Sequence, residues 1–542
     1  MGKKKRQHLE VDPAELARIV ERTRQALSPE DFARLKAAMD TLAFVTAELQ
    51  AKGTSLERLR RLLFGAPTEK TDEVLRKAGP PPAGQSQGPA EDKAEDTARA
   101  PGHGRHGAAA YTGARREKVE HAGLKSGQVC QGCLKGQLYP LREPAMLVRV
   151  TGLAPLSATV WECERLRCNL CGEVSTAQAP EGVGAEKYDE TAVAMTGLLK
   201  YGCGLPFHRL EKLQAGMGIP LPAATQWQLV EQGAKKLQPA FEELCDQAAQ
   251  ADVLHNDDTP MKVLDLSKPQ LEAASAGGPG GRTGVYTSGV IATKGERALA
   301  LFFTGRQHAG ENLADVLKRR AAQLKAPVQM ADALAANTAG DFKTLLANCL
   351  AHARRGFVEV AHDFPEECRF VLETLRDVYR TDAVAKEGIL TPSERLALHQ
   401  RESGPRMEKL AGWLEEQVRE RKVEPNSGLG AALKYMQKHW PKLTLFLREP
   451  GAPLDNNVCE RALKKAILHR KNSLFYRSEN GAHVGDIFMS LIHTVELHGG
   501  NPFDYLVALL RHHERVADEP SEWMPWIYRQ TLEKLGTATT TP

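Results

Sequence analysis

Residues 251–260 read Ala-Asp-Val-Leu-His-Asn-Asp-Asp-Thr-Pro. The first five form an apolar strand, and it runs into two adjacent aspartates, Asp257 and Asp258. Short apolar runs bounded by turn signals read as strands. Two more follow, Val285 to Ala292 and Ala298 to Phe303, and then an amphipathic helix from Glu311 to Leu324. Val328-Gln-Met-Ala-Asp332 is a short strand that again ends on an aspartate. A helix over Phe342 to Leu346 and a strand over Cys349 to Ala353 come next. Residues 354 to 449 read as almost entirely helical, and Asp455-Asn456-Asn457 opens a late helix that carries Glu460.

Three strands, helix, strand, helix, strand and late helix is the element order of a ribonuclease-H-like fold. That fold gathers acidic residues from the ends of its first and fourth strands and from its late helix. The candidates are Asp257 or Asp258, Asp332 and Glu460. Hard carboxylate oxygens suit Mg²⁺ or Mn²⁺. Two such ions about 3.5–4 Å apart serve phosphodiester chemistry. A single acidic residue is ordinarily a solvated charge or a helix cap, and Asp455 reads as an N-cap. The case for the triad is its placement in one strand and helix order. The Glu460 helix is also basic, with Arg461, Lys464 and Lys465, followed by Arg470, Lys471 and Arg477. A basic strip beside carboxylates suits a phosphate backbone. The bland reading is an exposed helix end complementing its dipole.

Outward from this core, 542 residues suggest several domains. Net charge is 72 − 68 = +4, which excludes a strongly acidic or histone-like chain but not local basic patches. No apolar run reaches membrane-span length, and no apolar segment follows the basic N-terminus, so a cytoplasmic protein with no membrane partner is expected. Residues 1–78 read as helices with leucines at 35, 42, 49, 56 and 63, a coiled-coil period. A helical hairpin with its own core reads equally well. Residues 79–117 form a linker rich in Gly, Pro and Ala.

Residues 118–185 contain Cys130-Gln-Gly-Cys133 and Cys168-Asn-Leu-Cys171. Two C-x-x-C pairs of this spacing predict a zinc ribbon with four thiolates on one Zn²⁺. Strand-like alternation between them covers 146–150 and 158–162, and Cys163 is a competing ligand. Residues 186–248 predict a helix-turn-helix-like DNA-binding region, with helices over 191–201, 207–217 and 223–237. The catalytic core is expected over 249–495, with a helical insertion at about 357–449, and a helical tail over 496–542.

These stretches together resemble the Insertion Sequence 66 family of transposases, bacterial members of the DDE superfamily. The matching stretches run from about residue 56 to 512. They include Leu59-Arg-Arg-Leu-Leu-Phe-Gly65, the cysteine pairs, Leu205-Pro-Phe-His-Arg209 and His255-Asn-Asp-Asp-Thr-Pro260. They continue with Ala351-His-Ala-Arg-Arg355, Leu454-Asp-Asn-Asn457 with Glu460-Arg-Ala462, Arg470-Lys-Asn472 and Asn501-Pro-Phe-Asp-Tyr-Leu506. The resemblance implies that Asp257, Asp332 and Glu460 are the catalytic and Mg²⁺-binding carboxylates. It implies that the N-terminal helices, ribbon and helix-turn-helix bind element ends and form multimers. His352, Arg354 and Arg355 would position a phosphate, or merely pack at a helix start.

The implied reaction has two steps: hydrolysis at each element end leaves a 3′-hydroxyl, which then attacks target DNA. The partners implied are double-stranded DNA, further copies of the chain and companion proteins of the same element, with action at the bacterial nucleoid. Two departures stand out. Asp258 occupies the place of the family's glutamate, and Ala333-Leu334 follows Asp332 where many relatives have glycine and tyrosine. A non-catalytic DNA-binding regulator and a nuclease of the same fold are the competing readings.

Overall fold

A computed structural model describes residues 186–266, 284–340 and 342–538 without a break, residues 154–167 and 174–181, the helix at 70–78, and short pieces elsewhere. The chain divides into two compact units. One is Met1–Pro80 with Asn348–Leu454; the other is Pro81–Ala347 with Asp455–Pro542. The first is helical in its described residues, and the second holds a mixed α/β core.

The first described helix of any length, α1 (Thr71–Ala78), belongs to the helical unit. Of the five spaced leucines only Leu35 is among the described residues, and it is exposed. The 79–117 linker lies almost wholly outside them, as do Cys130, Cys133, Cys168 and residues 146–150. Cys171 is exposed. The strand expected over 158–162 is not one. Val160 and Trp161 are both exposed, so this alternation buries no face. The strands lie later, β1 (Arg165–Arg167) antiparallel to β2 (Val174–Thr176).

Three helices precede the main sheet: α2 (Glu190–Gly197), α3 (Phe207–Gly216) and α4 (Ala223–Ala249). Asp189 caps α2 by accepting from the Ala192 N–H at 3.0 Å. The helix expected to reach Tyr201 becomes a π-helical turn, Leu198–Gly202, after Gly197. The helix expected to stop at Leu237 runs twelve residues further to Ala249. Its buried stripe continues through Phe241, Leu244, Cys245 and Ala248, and this packing carries the helix past Pro239.

The sheet comprises β3 (Val253–Pro260), β4 (Tyr286–Lys294), β5 (Arg297–Gly305), β6 (Val328–Ala331) and β7 (Leu345–Asn348), with α5 (Ala309–Leu317) between β5 and β6. The strand order is β5-β4-β3-β6-β7. β3 is antiparallel to β4 and parallel to β6. β4 and β5 form a hairpin turned at Gly295, whose φ of +58° is what a two-residue loop requires. Pairing with β4 extends β3 to Pro260, so Asp257 and Asp258 lie inside the strand rather than after it. Successive residues of a strand face opposite sides, so the two aspartates point apart.

Other boundaries move for local reasons. α5 starts at Ala309 because the His308 N–H donates to Glu311 at 2.9 Å, closing a capping box. It ends at Leu317, not Leu324, because the chain is then tied to the end of α4. There the Ala321 N–H donates to Gln250, and Arg320 donates to the carbonyls of Ala249 and Ala251. The helix expected over 342–346 and the strand over 349–353 are inverted: β7 comes first, then α6 (Leu350–Val360). Short apolar runs do not declare their period. Here Leu350, Ala353 and Phe357 share one buried helix face.

The helical unit continues with α7 (Pro365–Glu387), α8 (Pro392–Glu402), α9 (Gly404–Arg419) and α10 (Gly428–Leu443). Its core includes Val371, Leu375, Leu410, Leu433 and Met436, all buried. The Leu350 N–H donates to the Leu454 carbonyl at 2.9 Å, so the two ends of the 348–454 stretch meet. α1 is held here too, through Arg354 to Thr71 at 3.1 Å and Arg376 to Asp72 at 2.9 Å.

The sheet unit resumes with α11 (Asn457–Ser473), α12 (Glu479–Leu497), α13 (Pro502–Arg511), α14 (His513–Asp518) and α15 (Tyr528–Ala538). α12 closes the outer edge of β5 with side chains. Asp486, Ser490 and Thr494 accept from the N–H groups of Thr304, Phe302 and Ala300 at 2.7, 2.9 and 3.0 Å. Four helical residues advance about 6 Å, nearly the advance of two strand residues, so the ladder stays in register. An exposed edge invites another strand, and this helix removes it. No helix among the described residues is long and apolar enough to cross a membrane.

Candidate active site

Asp257 lies on β3 directly opposite Gly289 on β4. A Cβ at Gly289 would come within 3.0 Å of Leu463 and 3.4 Å of the Cys459 sulfur, both on α11. The absent side chain therefore lets α11 settle on the strands, and the Cys459 thiol donates to the Gly289 carbonyl at 3.3 Å. That helix carries Glu460 in its first turn. Asp332 follows β6, the parallel neighbour of β3.

The charges of Asp332 and Glu460 act on Asp257. Burial raises the Asp257 carboxyl, and the charges of Asp332, Glu460 and Asp258 raise it further. The Asp258 N–H, 2.8 Å from Asp257 Oδ1, opposes them, and the outcome is a value of about 7. At neutral pH this group is poised between its charged and neutral forms.

Asp258 faces the other way. Its Oδ1 accepts from the Ser288 hydroxyl at 2.6 Å. Its Oδ2 accepts from the Ala309 N–H at 3.0 Å and lies 2.9 Å from His308 Nδ1. Oδ2 anchors the start of α5, and Oδ1 is held by Ser288 of β4. Of the adjacent pair, Asp257 is the one grouped with Asp332 and Glu460.

A buried set of amides spaces the carboxylates. Asn456, immediately before α11, donates to the Asn256 carbonyl at 3.0 Å, and its Oδ1 lies 3.1 Å from His255 Nδ1. This joins the start of the Glu460 helix to the strand of Asp257. On the other side Asn337 donates to Asp332 Oδ1 at 2.6 Å, and the Leu334 N–H donates to the same oxygen at 3.1 Å. The Asn337 carbonyl accepts from Asn256 at 2.8 Å and from Gln329 at 2.7 Å. Gln329 also donates to Asn256 Oδ1 at 3.0 Å. Asn256, Gln329, Asn337 and Asn456 are all buried, so each of these bonds is costly to break. Reading the sequence missed all four and Gly289. The one signal was the density of amides beside acidic residues, as in Asn256-Asp257 and Asp455-Asn456-Asn457. Asp455 does serve the helix start: its Oδ1 accepts from the Asn457 N–H at 3.1 Å, although Asn456 stands at the N-cap position.

The basic residues divide. Arg461, Lys464 and Lys471 are exposed along α11. Lys465 instead pairs with Glu496 of α12 at 2.9 Å, and Arg470 donates to Thr259 at 3.1 Å and to the Pro260 carbonyl. These two fasten α11 to its neighbours. Arg354 and Arg355 are half-buried on α6 of the helical unit.

The profile of the Transposase IS66 family matches residues 187–484, more than half of the chain and all of the acidic positions above. Two proteins of Sinorhizobium fredii (strain NBRC 101917 / NGR234) are similar over most of their length. Uncharacterized protein y4jD is 26% identical over 392 residues, covering 67% of this chain and 71% of that protein. Uncharacterized protein y4hP is 25% identical over 387 residues, covering 68% of this chain and 67% of that protein. With its acidic grouping inside the matched region, the chain belongs to the transposase IS66 family.

Proposed function

We propose that the protein is a DNA transposase that binds the ends of an insertion sequence, cleaves phosphodiester bonds there and joins the 3′-hydroxyl ends to target DNA. One observation carries the reading beyond family membership: Asp257 on β3, Asp332 directly after the parallel neighbour β6 and Glu460 on α11, which Asn456 ties to β3, are near enough for the charges of the other two to act on Asp257. Carboxylates gathered this way are stabilised by divalent cations, and oxygen-only donors fit Mg²⁺ or Mn²⁺. When bound, such ions supply Lewis-acid charge at a scissile phosphate. The strand order, with β6 parallel to β3 and β4 antiparallel to it, supports a ribonuclease-H-like core.

In this reading Asp257, Asp332 and Glu460 hold the ions, and Asp258 positions the strand. Asn456 and Asn337 keep the three carboxylates at fixed spacing. Arg461, Lys464 and Lys471 track the phosphate backbone of double-stranded DNA, and Lys465 and Arg470 hold that strip in place. Arg354 and Arg355 serve a flanking strand. Cys130, Cys133, Cys168 and Cys171 bind a structural Zn²⁺, and the α3–α4 region contributes to end binding. One carboxylate set serves one DNA end, so a homo-oligomer pairs the two ends, with companion proteins of the element as further partners at the nucleoid.

The test uses purified protein, Mg²⁺ or Mn²⁺, and labelled DNA spanning the flanking ends of the gene. Metal-dependent joining that Glu460→Gln abolishes while end binding survives would support the reading. Cutting without joining would replace it with a nuclease. Binding with no cutting, even with the companion proteins added, would replace it with a regulator.

A further inference from the structure

α11 ends in a strained turn that pushes apolar side chains outward. Leu474 has φ +69° and ψ −40°, and the Phe475 N–H donates to the Ser473 carbonyl at 2.9 Å. That is a γ-turn of the rare positive-φ kind, which is strained for any residue with a side chain. Glycine or asparagine is the usual occupant of a helix end with positive φ; here it is a leucine that is 64% exposed, followed by a phenylalanine that is 39% exposed. Leu468, one helical turn and a half earlier, is 39% exposed as well.

The turn is held rigidly from behind. Ser473 accepts from the buried Lys200 at 2.8 Å, and the Tyr476 N–H donates to the Lys262 carbonyl at 2.9 Å. Tyr476 is buried and stacks on His469. Strain persists where surrounding structure over-determines it, and it concentrates at functional sites.

The charge along α11 beyond Glu460 and through the tip is of one sign. From Arg461 to Ser478, eighteen residues contain six Lys or Arg and no Asp or Glu. Lys471, Arg477 and Lys262 are exposed around it. Apolar tips on a basic ground suit a polyanion that has exposed flat rings. Single-stranded DNA and the open end of a duplex have that chemistry.

We propose that Leu474 and Phe475 form a wedge that stacks against an unpaired base of the DNA end, with Lys471 and Arg477 on the neighbouring phosphates. This rests on the DNA-acting reading above. The tip lies fourteen residues beyond Glu460. At about 1.5 Å per residue that is roughly 20 Å along the helix, or about six nucleotides at ~3.4 Å each. The stacked base therefore lies several nucleotides from the bond that is cut.

The test measures binding of the full chain to two labelled DNAs of the flanking-end sequence, one fully paired and one forked at that distance. Wild type should prefer the fork by about tenfold, within the range of base–aromatic stacking. Phe475→Ala should remove the preference yet bind the paired duplex as wild type does, and Phe475→Trp should keep it. Leu474→Gly should raise the melting temperature, because glycine takes this backbone without strain, while weakening the fork preference. Wild type without a fork preference, or Phe475→Ala retaining one, would overturn the proposal. Failure of wild type to bind either DNA would sink the DNA-acting reading with it.

Discussion

Two carboxylates, the buried Asp382 of the helical unit and the half-buried Asp257 of the sheet unit, are treated oppositely. In the helical unit Asp382 is buried beside Arg395 at 2.7 Å, Lys386 at 2.8 Å and His399 at 3.3 Å. Burial alone would raise it, but the His399 hydrogen bond and the charges of Arg395 and Lys386 hold it well below the usual carboxylate range. In the sheet unit burial raises Asp257 most, the carboxylates around it raise it further, and its value climbs to about 7. A fold that neutralises a buried acid with its own cations is stabilising itself. At Asp257 the neighbouring acids instead add to the effect of burial.

The widest gap should open on removing the carboxylates. Glu460→Gln is expected to lower DNA joining by at least about a thousandfold, since metal-ion catalysis contributes several kcal/mol and each ~1.4 kcal/mol is about tenfold. Asp382→Ala, by contrast, should destabilise the helical unit by about 3–5 kcal/mol, because it strands Arg395 and His399 without their anion. Thermal melting checks this. Equal loss of stability from Asp257→Asn would erase the distinction.

The pH dependence should separate the same two groups. The folded-state value of Asp382 lies below its unfolded one. Its stabilisation is therefore present above the ordinary carboxylate range and lost as pH falls through and below it. Asp257 is raised, so its ionisation costs stability as pH climbs from the carboxylate range toward about 7. A cation favours the ionised form, so Mn²⁺ affinity should strengthen as pH passes about 7 and then level. Titrating Mn²⁺ at several pH values measures this; an affinity flat from pH 6 to 8 would contradict the coupling, given a ligand poised about 7.

Asn337→Ala should weaken Mn²⁺ binding by about 10–100-fold, as loss of a ligand-orienting hydrogen bond does. The smallest effect belongs to Asp258→Asn. It should cost about 1 kcal/mol through the start of α5, with Mn²⁺ affinity nearly unchanged.

The sequence carried the order of strands and helices well, because β4 and β5 contain long apolar runs and β6 runs directly into Asp332. Short segments misled. Nothing in residues 342–353 reveals that β7 precedes α6, since each is a handful of apolar residues whose partner lies elsewhere in the chain. That order puts Asp257 on β3, Asp332 directly after β6 and Glu460 on α11. The opposite facing of Asp257 and Asp258 did not follow, because it depends on the register against β4 and on Ser288 and Ala309 donating to Asp258 on the far face. The amides of Asn256, Gln329, Asn337 and Asn456 were equally hidden, since their partners are distant in sequence.

The most direct measurement is calorimetric titration of Mn²⁺ into wild type, Asp257→Asn and Asp258→Asn at pH 7.5, above the value of about 7 at which Asp257 titrates. Binding that disappears in Asp257→Asn and survives in Asp258→Asn is the expected result. Binding that survives in Asp257→Asn, or disappears only in Asp258→Asn, would contradict the central claim that the fold gathers Asp257, Asp332 and Glu460 to hold a cation.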